Sequence, residues 1–241
     1  MKLVFAIAQS TESSMDELMK ESETHNDILF MGFHDSYRNL TLKSLLSLRW
    51  LSHHCANASF FVKVDDDQFV FIPQLLLDLR PFDNRRNLIL GNYNDHSQAF
   101  HSNLNGKWDI PKEVFPFESF PPYVSGPLYA MTSDVASTIS SSAPYVFPVH
   151  LEDVFVTGII PKVMNIQHAI LSGFGDIRSF KPSACTMTLF ELVAMELEND
   201  SEKLELWQDF LDANKTASKL CLRETQRRSL VRWNHNASHT L

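Results

Sequence analysis

Two groups of carboxylates are set apart by where they lie in the chain. Asp65, Asp66 and Asp67 follow directly on the apolar, β-branched run Phe60-Phe61-Val62-Lys63-Val64, and Phe69-Val70-Phe71 comes straight after them. Three adjacent carboxylates repel one another, and at a partly buried strand end a divalent cation relieves that repulsion best. Oxygen ligands suit Mg²⁺ or Mn²⁺, which can also hold a diphosphate. The plain alternative is a solvated acidic turn, since Asp is common where strands end; the apolar return at Phe69-Val70-Phe71 argues against it. The second group is Glu152-Asp153, between Leu151 and Val154-Phe155-Val156. A carboxylate there could act as a general base toward a hydroxyl, and the same placement suits acids that complement the dipole of a helix N-terminus.

Other candidates are single residues. Gly126, in Tyr123-Val124-Ser125-Gly126-Pro127, stands where a backbone could approach a ligand, or in a plain turn. Trp108, beside Lys107, could stack on a sugar ring or be a partly exposed core residue. With three cysteines and no Cys-x-x-Cys spacing, zinc chemistry is not expected.

The elements that must position these groups alternate. Leu3 to Ala8 reads as a strand, Met15 to Lys20 as a helix after a polar turn, and Ile28-Leu29-Phe30-Met31 as a second strand. A helix follows from Asn39 to Trp50, with Asn39 or Thr41 as cap and Leu42, Leu45, Leu46 and Trp50 on one face. Phe60 to Val64 is a strand, and Leu75-Leu76-Leu77 and then Leu88-Ile89-Leu90-Gly91 continue the alternation. The stretch from about Asn92 to Tyr123 has no sustained period and reads as long loops over a binding face. Helices are expected at Ser133 to Ile139 and from Leu151, and one or two more between Thr188 and Asn214, with Trp207 and Leu211 sharing a face. This order predicts an α/β fold with a mostly parallel central sheet. Ligands of such sheets bind beyond the carboxyl ends of the strands, where Asp65, Asp66 and Asp67 would stand.

At 241 residues and 44% hydrophobic content, the chain suits one domain, expected over residues 1–222, with a basic, polar tail over 223–241. The formal charge of -8 argues against nucleic acid, which needs a basic footprint. Three cysteines, Cys55, Cys185 and Cys221, leave at least one thiol without a partner in the chain. Sequons at Asn39, Asn57, Asn199, Asn214 and Asn236 favour a secretory route. No stretch has the length of a membrane span, and the opening residues read as a strand, as if the chain began inside a longer design.

Read in order, several segments resemble the galactosyltransferase domain of glycosyltransferase family 31, the β-1,3-hexosyltransferases, from roughly Leu3 to Pro161. They are Asn26-Asp27-Ile28-Leu29, Phe33 through Lys43, Trp50 through Cys55, Phe61 through Asp67, Lys107-Trp108, Pro121 through Tyr129, and Glu152-Asp153-Val154. The resemblance implies a GT-A fold and a Golgi membrane enzyme, anchored by a signal-anchor, that uses a UDP-sugar and Mn²⁺ to transfer galactose or an N-acetylhexosamine, with inversion, to a glycan or glycoprotein. It implies Asp67 as metal ligand, Asp65, Asp66 and Lys43 at the donor, Trp108, Gly126 and Glu152 at the acceptor, and Asp153 as general base.

Relatives also carry a segment before the first strand seen here, cysteines near Val124 and in the Thr157-Gly158-Ile159-Ile160 region, and a downstream histidine at the metal. By spacing, Glu196 lies nearest that histidine's place. These departures imply a lost disulfide, and they set up a rival expectation: a weak or inactive relative that acts as a binding partner of active transferases.

Overall fold

The computed structural model describes residues 1–9, 15–101, 106–175, 183–189, 191–197 and 199–212. The expected tail over 223–241, Cys221, the sequons at Asn214 and Asn236, and most of the polar turn after the first strand lie outside the described residues.

In chain order the elements are β1 (Phe5–Gln9), α1 (Met15–His25), β2 (Ile28–His34), α2 (Leu40–His54), β3 (Phe60–Val64), β4 (Gln68–Val70) and α3 (Ile72–Leu79). They continue with β5 (Leu88–Asn94), β6 (Tyr123–Thr132), α4 (Ser133–Ser142) and α5 (Glu152–Val154), then one π-helical turn over Phe155–Ile159, α6 (Ile160–Met164) and β7 (Gln167–Ile170). Last come β8 (Phe174–Gly175), α7 (Ala184–Leu189), β9 (Ala194–Glu196) and a helix over residues 200–212. The chain gathers into two compact units, one from Met1–Lys63 with Asp83–Leu171, the other from Val64–Phe82 with the described residues from Ser172 onward.

In the first unit, β1 and β2 pair in parallel, and a four-stranded sheet has the order β3-β6-β5-β7. That sheet is mixed: β5 runs antiparallel to β6 and parallel to β7. The α/β class stands. β5 is central and its apolar run Leu88-Ile89-Leu90 is fully buried, as expected of a strand covered on both faces. Gly91 follows because a Cβ there would come within 2.2 Å of Val124 Cγ1. The core continues through Met131, Val135, Ile139, Leu151, Val154, Phe155 and Ile160.

Helix α2 departs from its expected face. Thr41, Ser44 and Leu48 are its buried residues, whereas Leu42 is exposed. Two of the three carry hydroxyls, and Thr41 Oγ1 donates to the Val149 carbonyl at 2.9 Å, a partner no leucine could supply. Asn39 takes the N-cap position without a side-chain cap and donates from Nδ2 to the His34 carbonyl instead. Among the described residues between Asn94 and Tyr123 no long element forms, as expected; Ile110, Phe115 and Phe120 anchor this stretch in the core.

The second unit has its own small core. β9 lies between β4, to which it is antiparallel, and β8, to which it is parallel. Phe71, Met187, Leu192, Met195, Leu197 and Leu206 are buried together, with Phe69 and Phe210 packed against them. Two expectations change here. Part of the stretch expected to be helical is the strand β9, and the helix over residues 200–212 buries Leu206 and packs Phe210, while Trp207 and Leu211 are exposed. Asn199 Oδ1 accepts from the Glu202 N–H at 3.0 Å, an N-cap for that helix. Cys55 is a free thiol and Cys185 is disulfide-bonded. Among the described residues no helix is long and apolar enough to cross a membrane.

The π-helical turn packs closely on β6, where a Cβ on Gly158 would lie 2.8 Å from Tyr123 Cβ and 3.4 Å from the Pro122 carbonyl oxygen. Gly158→Ala should therefore destabilise the protein by roughly 1–3 kcal/mol. Gly32→Ala, where nothing lies within 4 Å, serves as control. Urea titration of both variants measures the difference.

Candidate active site

The segment over residues 152–164 begins as α5, widens into the π-helical turn and closes as α6. Pro161 has no N–H to offer the carbonyl four residues back, that of Thr157. His168 Nε2 lies 2.6 Å from this carbonyl and donates to it. The Thr157 hydroxyl, fully buried, accepts from the Val124 N–H at 2.9 Å and donates toward the Asp153 carbonyl at 2.6 Å, with the Val124 carbonyl at 2.9 Å as a second acceptor. One side chain thus ties the start of the helical segment to β6, and Asp153 inherits that fixed position.

The Asp153 carboxylate is clasped by two backbone donors, the Gly126 N–H on Oδ2 at 3.1 Å and the Val154 N–H on Oδ1 at 2.8 Å. Burial pushes its carboxyl above the ordinary range, while those two donors and the Lys63 ammonium pull it back. Glu152 is only 7% exposed. Tyr129 donates its hydroxyl to Glu152 Oε1 at 2.7 Å, Ser44 hydrogen-bonds it from α2, and Lys63 Nζ stands 3.9 Å from Oε2. Burial raises the Glu152 carboxyl, with Lys63 the largest opposing influence. Burial and the neighbouring Glu152 charge push the Tyr129 phenol well up, so it stays a donor.

Gly126, Glu152 and Asp153 therefore converge. Three residues given no role from sequence complete the group: Lys63, Tyr129 and Ser44. Lys63 had a legible signal, because on β3 it shares the inward face of Phe61 while Val62 and Val64 are exposed. A lysine on the buried face of a strand needs an acidic partner. Near Asp153, Tyr123 has its phenol raised, first by burial, and Asn94 Nδ2 donates to Ser125 Oγ at 2.7 Å.

Lys43 is held in an ion pair with Asp35 at 2.6 Å. Trp108 is 61% exposed. Its neighbour Lys107 lies over the Tyr37 ring, 4.6 Å from the centroid, and the Lys107 backbone hydrogen-bonds His150.

Asp65, Asp66 and Asp67 belong to the other unit. They form a tight turn closed by the Gln68 N–H on the Asp65 carbonyl at 3.2 Å. The Asp66 carbonyl accepts from Lys203 Nζ at 2.6 Å and the Asp67 carbonyl from the Leu197 N–H at 3.0 Å. The carboxylates of Asp66 and Asp67 are exposed, Asp67 Oδ1 accepting from Gln68 Nε2 at 3.1 Å. The chain does return to apolar packing, since Phe71 is buried with its ring 4.5 Å from that of Phe210. Glu196 lies on β9, in register with Gln68.

Among the described residues no three His, Cys, Asp or Glu side chains form a metal cage. The donors present still fit Mg²⁺ or Mn²⁺, which are often held by one or two carboxylates, waters and substrate phosphates rather than by an all-protein cage.

The sequence profile described as "Galactosyltransferase" matches residues 1–172. The chain belongs to this family. It is 35% identical over 166 residues to a lactosylceramide 1,3-N-acetyl-β-D-glucosaminyltransferase B of Danio rerio, which covers 66% of this chain and 43% of that protein. It is 31% identical over 173 residues to β-1,3-galactosyltransferase 1 of Mus musculus, covering 71% of this chain and 52% of the relative. With β-1,3-galactosyltransferase 5 of Mus musculus it shares 36% identity over 210 residues, covering 83% and 64%. The chain thus spans about half the length of the first two relatives and under two thirds of the third. Among solved structures, a glycosyltransferase involved in glycosylation of the major capsid of PBCV-1 aligns with a TM-score of 0.37 at 8% identity, over 83% of this chain and 98% of that one. The resemblance to the β-1,3-hexosyltransferases is borne out at the level of family.

The site makes one prediction about pH. Burial lowers the His168 imidazole below its ordinary range, so the unfolded chain takes up a proton more readily than the folded one. This contribution to stability is complete above the ordinary histidine value of about 6.5 and is lost as pH falls below it. Gln in place of His168 could still donate to the Thr157 carbonyl and does not titrate. Thermal melts of His168→Gln and the parent at about pH 7.5 and about pH 5.5 should show a smaller acid-induced loss in the variant.

Proposed function

We propose that this galactosyltransferase-family chain transfers a hexose, galactose or an N-acetylhexosamine, from a UDP-sugar to a hydroxyl of a glycan or glycoprotein. The linkage formed is β-1,3, with inversion at the anomeric carbon, in protein glycosylation at the lumenal face of a Golgi membrane. The names of the relatives support the reaction class. The observation that carries the proposal is the Asp153 carboxylate, held by the Gly126 and Val154 N–H groups and partly buried.

In this scheme Asp153 accepts the proton of the acceptor hydroxyl as its oxygen bonds to the anomeric carbon. The bond from that carbon to UDP breaks on the opposite face, and its electron pair leaves with the diphosphate. Partial burial suits Asp153 to this duty, because a carboxylate displaced upward is a stronger base near neutral pH. Trp108 supplies an exposed ring against which an acceptor sugar can stack, and Gly126 leaves room beside the base. Glu152, beneath the base, serves the acceptor side by fixing its surroundings. Asp65, Asp66 and Lys43 would face the donor, and Asp67 would hold Mn²⁺, which would supply positive charge to offset that of the departing diphosphate.

The test is UDP release from UDP-galactose and UDP-N-acetylglucosamine with a panel of sugar acceptors, with Mn²⁺ and with chelator. Asp153→Asn should lower kcat by about 10²–10⁴-fold with little change in donor KM. Asp67→Ala should lose the response to Mn²⁺. Full activity in Asp153→Asn would remove the base. Absence of turnover with every donor, alongside binding to active transferases, would favour the partner role instead.

A further inference from the structure

We infer that Lys63 is a positioning residue for Asp153: its ammonium fixes the Gly126 peptide and offsets the Glu152 charge, so that Asp153 is presented ionised and in one orientation. This rests on the reading of Asp153 as general base.

The contacts that carry this lie inside the first unit. Lys63 Nζ donates to the Gly126 carbonyl at 2.7 Å. The N–H of the same glycine donates to Asp153 Oδ2 at 3.1 Å. Holding Gly126 by its carbonyl therefore aims its N–H at the base. The same ammonium is 3.9 Å from Glu152 Oε2 and 5.9 Å from the centroid of the Tyr129 ring.

Its charge matters as much as its reach. Glu152 and Asp153 are consecutive carboxylates, the first almost completely buried. Two such groups side by side favour uptake of one proton unless a cation stands near both. The titratable groups facing Asp153 are Lys63 on β3, Glu152 on α5, and Tyr123 and Tyr129 on β6; Ser44 on α2 adds an uncharged hydroxyl to the Glu152 side. Lys63 is the cation of this set. Without it, burial and adjacency favour the protonated form of the pair, and a protonated Asp153 accepts nothing from a hydroxyl.

The experiment reads Asp153 directly. Carboxyl ¹³C NMR of aspartate-labelled protein, with the Asp153 signal assigned by its loss in Asp153→Asn, follows the titration in the parent and in Lys63→Met, Lys63→Arg and Glu152→Gln. In Lys63→Met the Asp153 midpoint should rise by roughly one unit or more. Lys63→Arg should keep it near the parent value, and Glu152→Gln, which removes the neighbouring carboxylate charge, should lower it. An unmoved midpoint in Lys63→Met would overturn the inference whatever the turnover assays show. If Lys63→Met does not fold, Lys63→Gln, which keeps a donor for the Gly126 carbonyl without the charge, decides the sign. The pH profile of kcat/KM in Lys63→Met should move its acid limb the same way. Full activity in Asp153→Asn would instead overturn the base assignment while leaving the NMR result standing, so the two failures are distinguishable.

Discussion

A carboxylate taken almost wholly out of water must find donors and a counter-charge where it lies, and Glu152 is the residue in the first unit that imposes this demand. The Tyr129 hydroxyl from β6, Ser44 from α2 and the Lys63 ammonium from β3 answer it. Three elements distant in sequence are thereby brought to one point by a single acid. Replacing such a group's partners one at a time strands a buried charge, which costs more than the net value of the contact it made. The constraint fixes Asp153 as well, because it is the next residue and its helical segment cannot rotate without moving Glu152.

The helical segment over residues 152–164 shows how local irregularity is absorbed. Pro161 leaves the Thr157 carbonyl without its usual helical donor, and His168 from β7 makes up the deficit. Gly158 allows the segment to lie against Tyr123. Thr157 uses its hydroxyl on β6 and on the Asp153 carbonyl at once. A π-helical turn is disfavoured by itself. Here each of its unusual features has a named partner, and the turn forms part of the support for the carboxylate pair.

The α/β class and the family were legible because they depend on chemistry written locally: apolar runs, an acid cluster at a strand end, and ordered motifs such as Glu152-Asp153-Val154. What was less legible depends on partners far away in sequence. The inward face of α2 carries Thr41 and Ser44, and only the Val149 carbonyl and Glu152 explain why hydroxyls are buried there. Met195 and its neighbours form a strand and not a helix because β4 pairs with them, a choice no local propensity encodes. The antiparallel pairing of β5 with β6 is likewise a property of the whole sheet. Lys63 is the instructive middle case, since its place beside Phe61 on the inward face announced a buried acidic partner without saying which acid it would be.

The acidic turn at Asp65, Asp66 and Asp67 has a history in time as well as in space. Its carbonyls are held by Leu197 and Lys203, and the strand that follows it is paired with β9. Well over a hundred residues separate the turn from the groups that shape it. During synthesis the three acids leave the ribosome early and wait, unshaped, while the first unit's segments are made. Only when the chain has passed residue 203 can the Leu197 and Lys203 contacts form. A product that stopped at the end of the family-matching region, near residue 172, would carry every acid of the cluster and the local Gln68 bonds, without the contacts from Leu197 and Lys203. The late C-terminal segment, which the family profile does not cover, thus completes the contacts that hold the acid cluster.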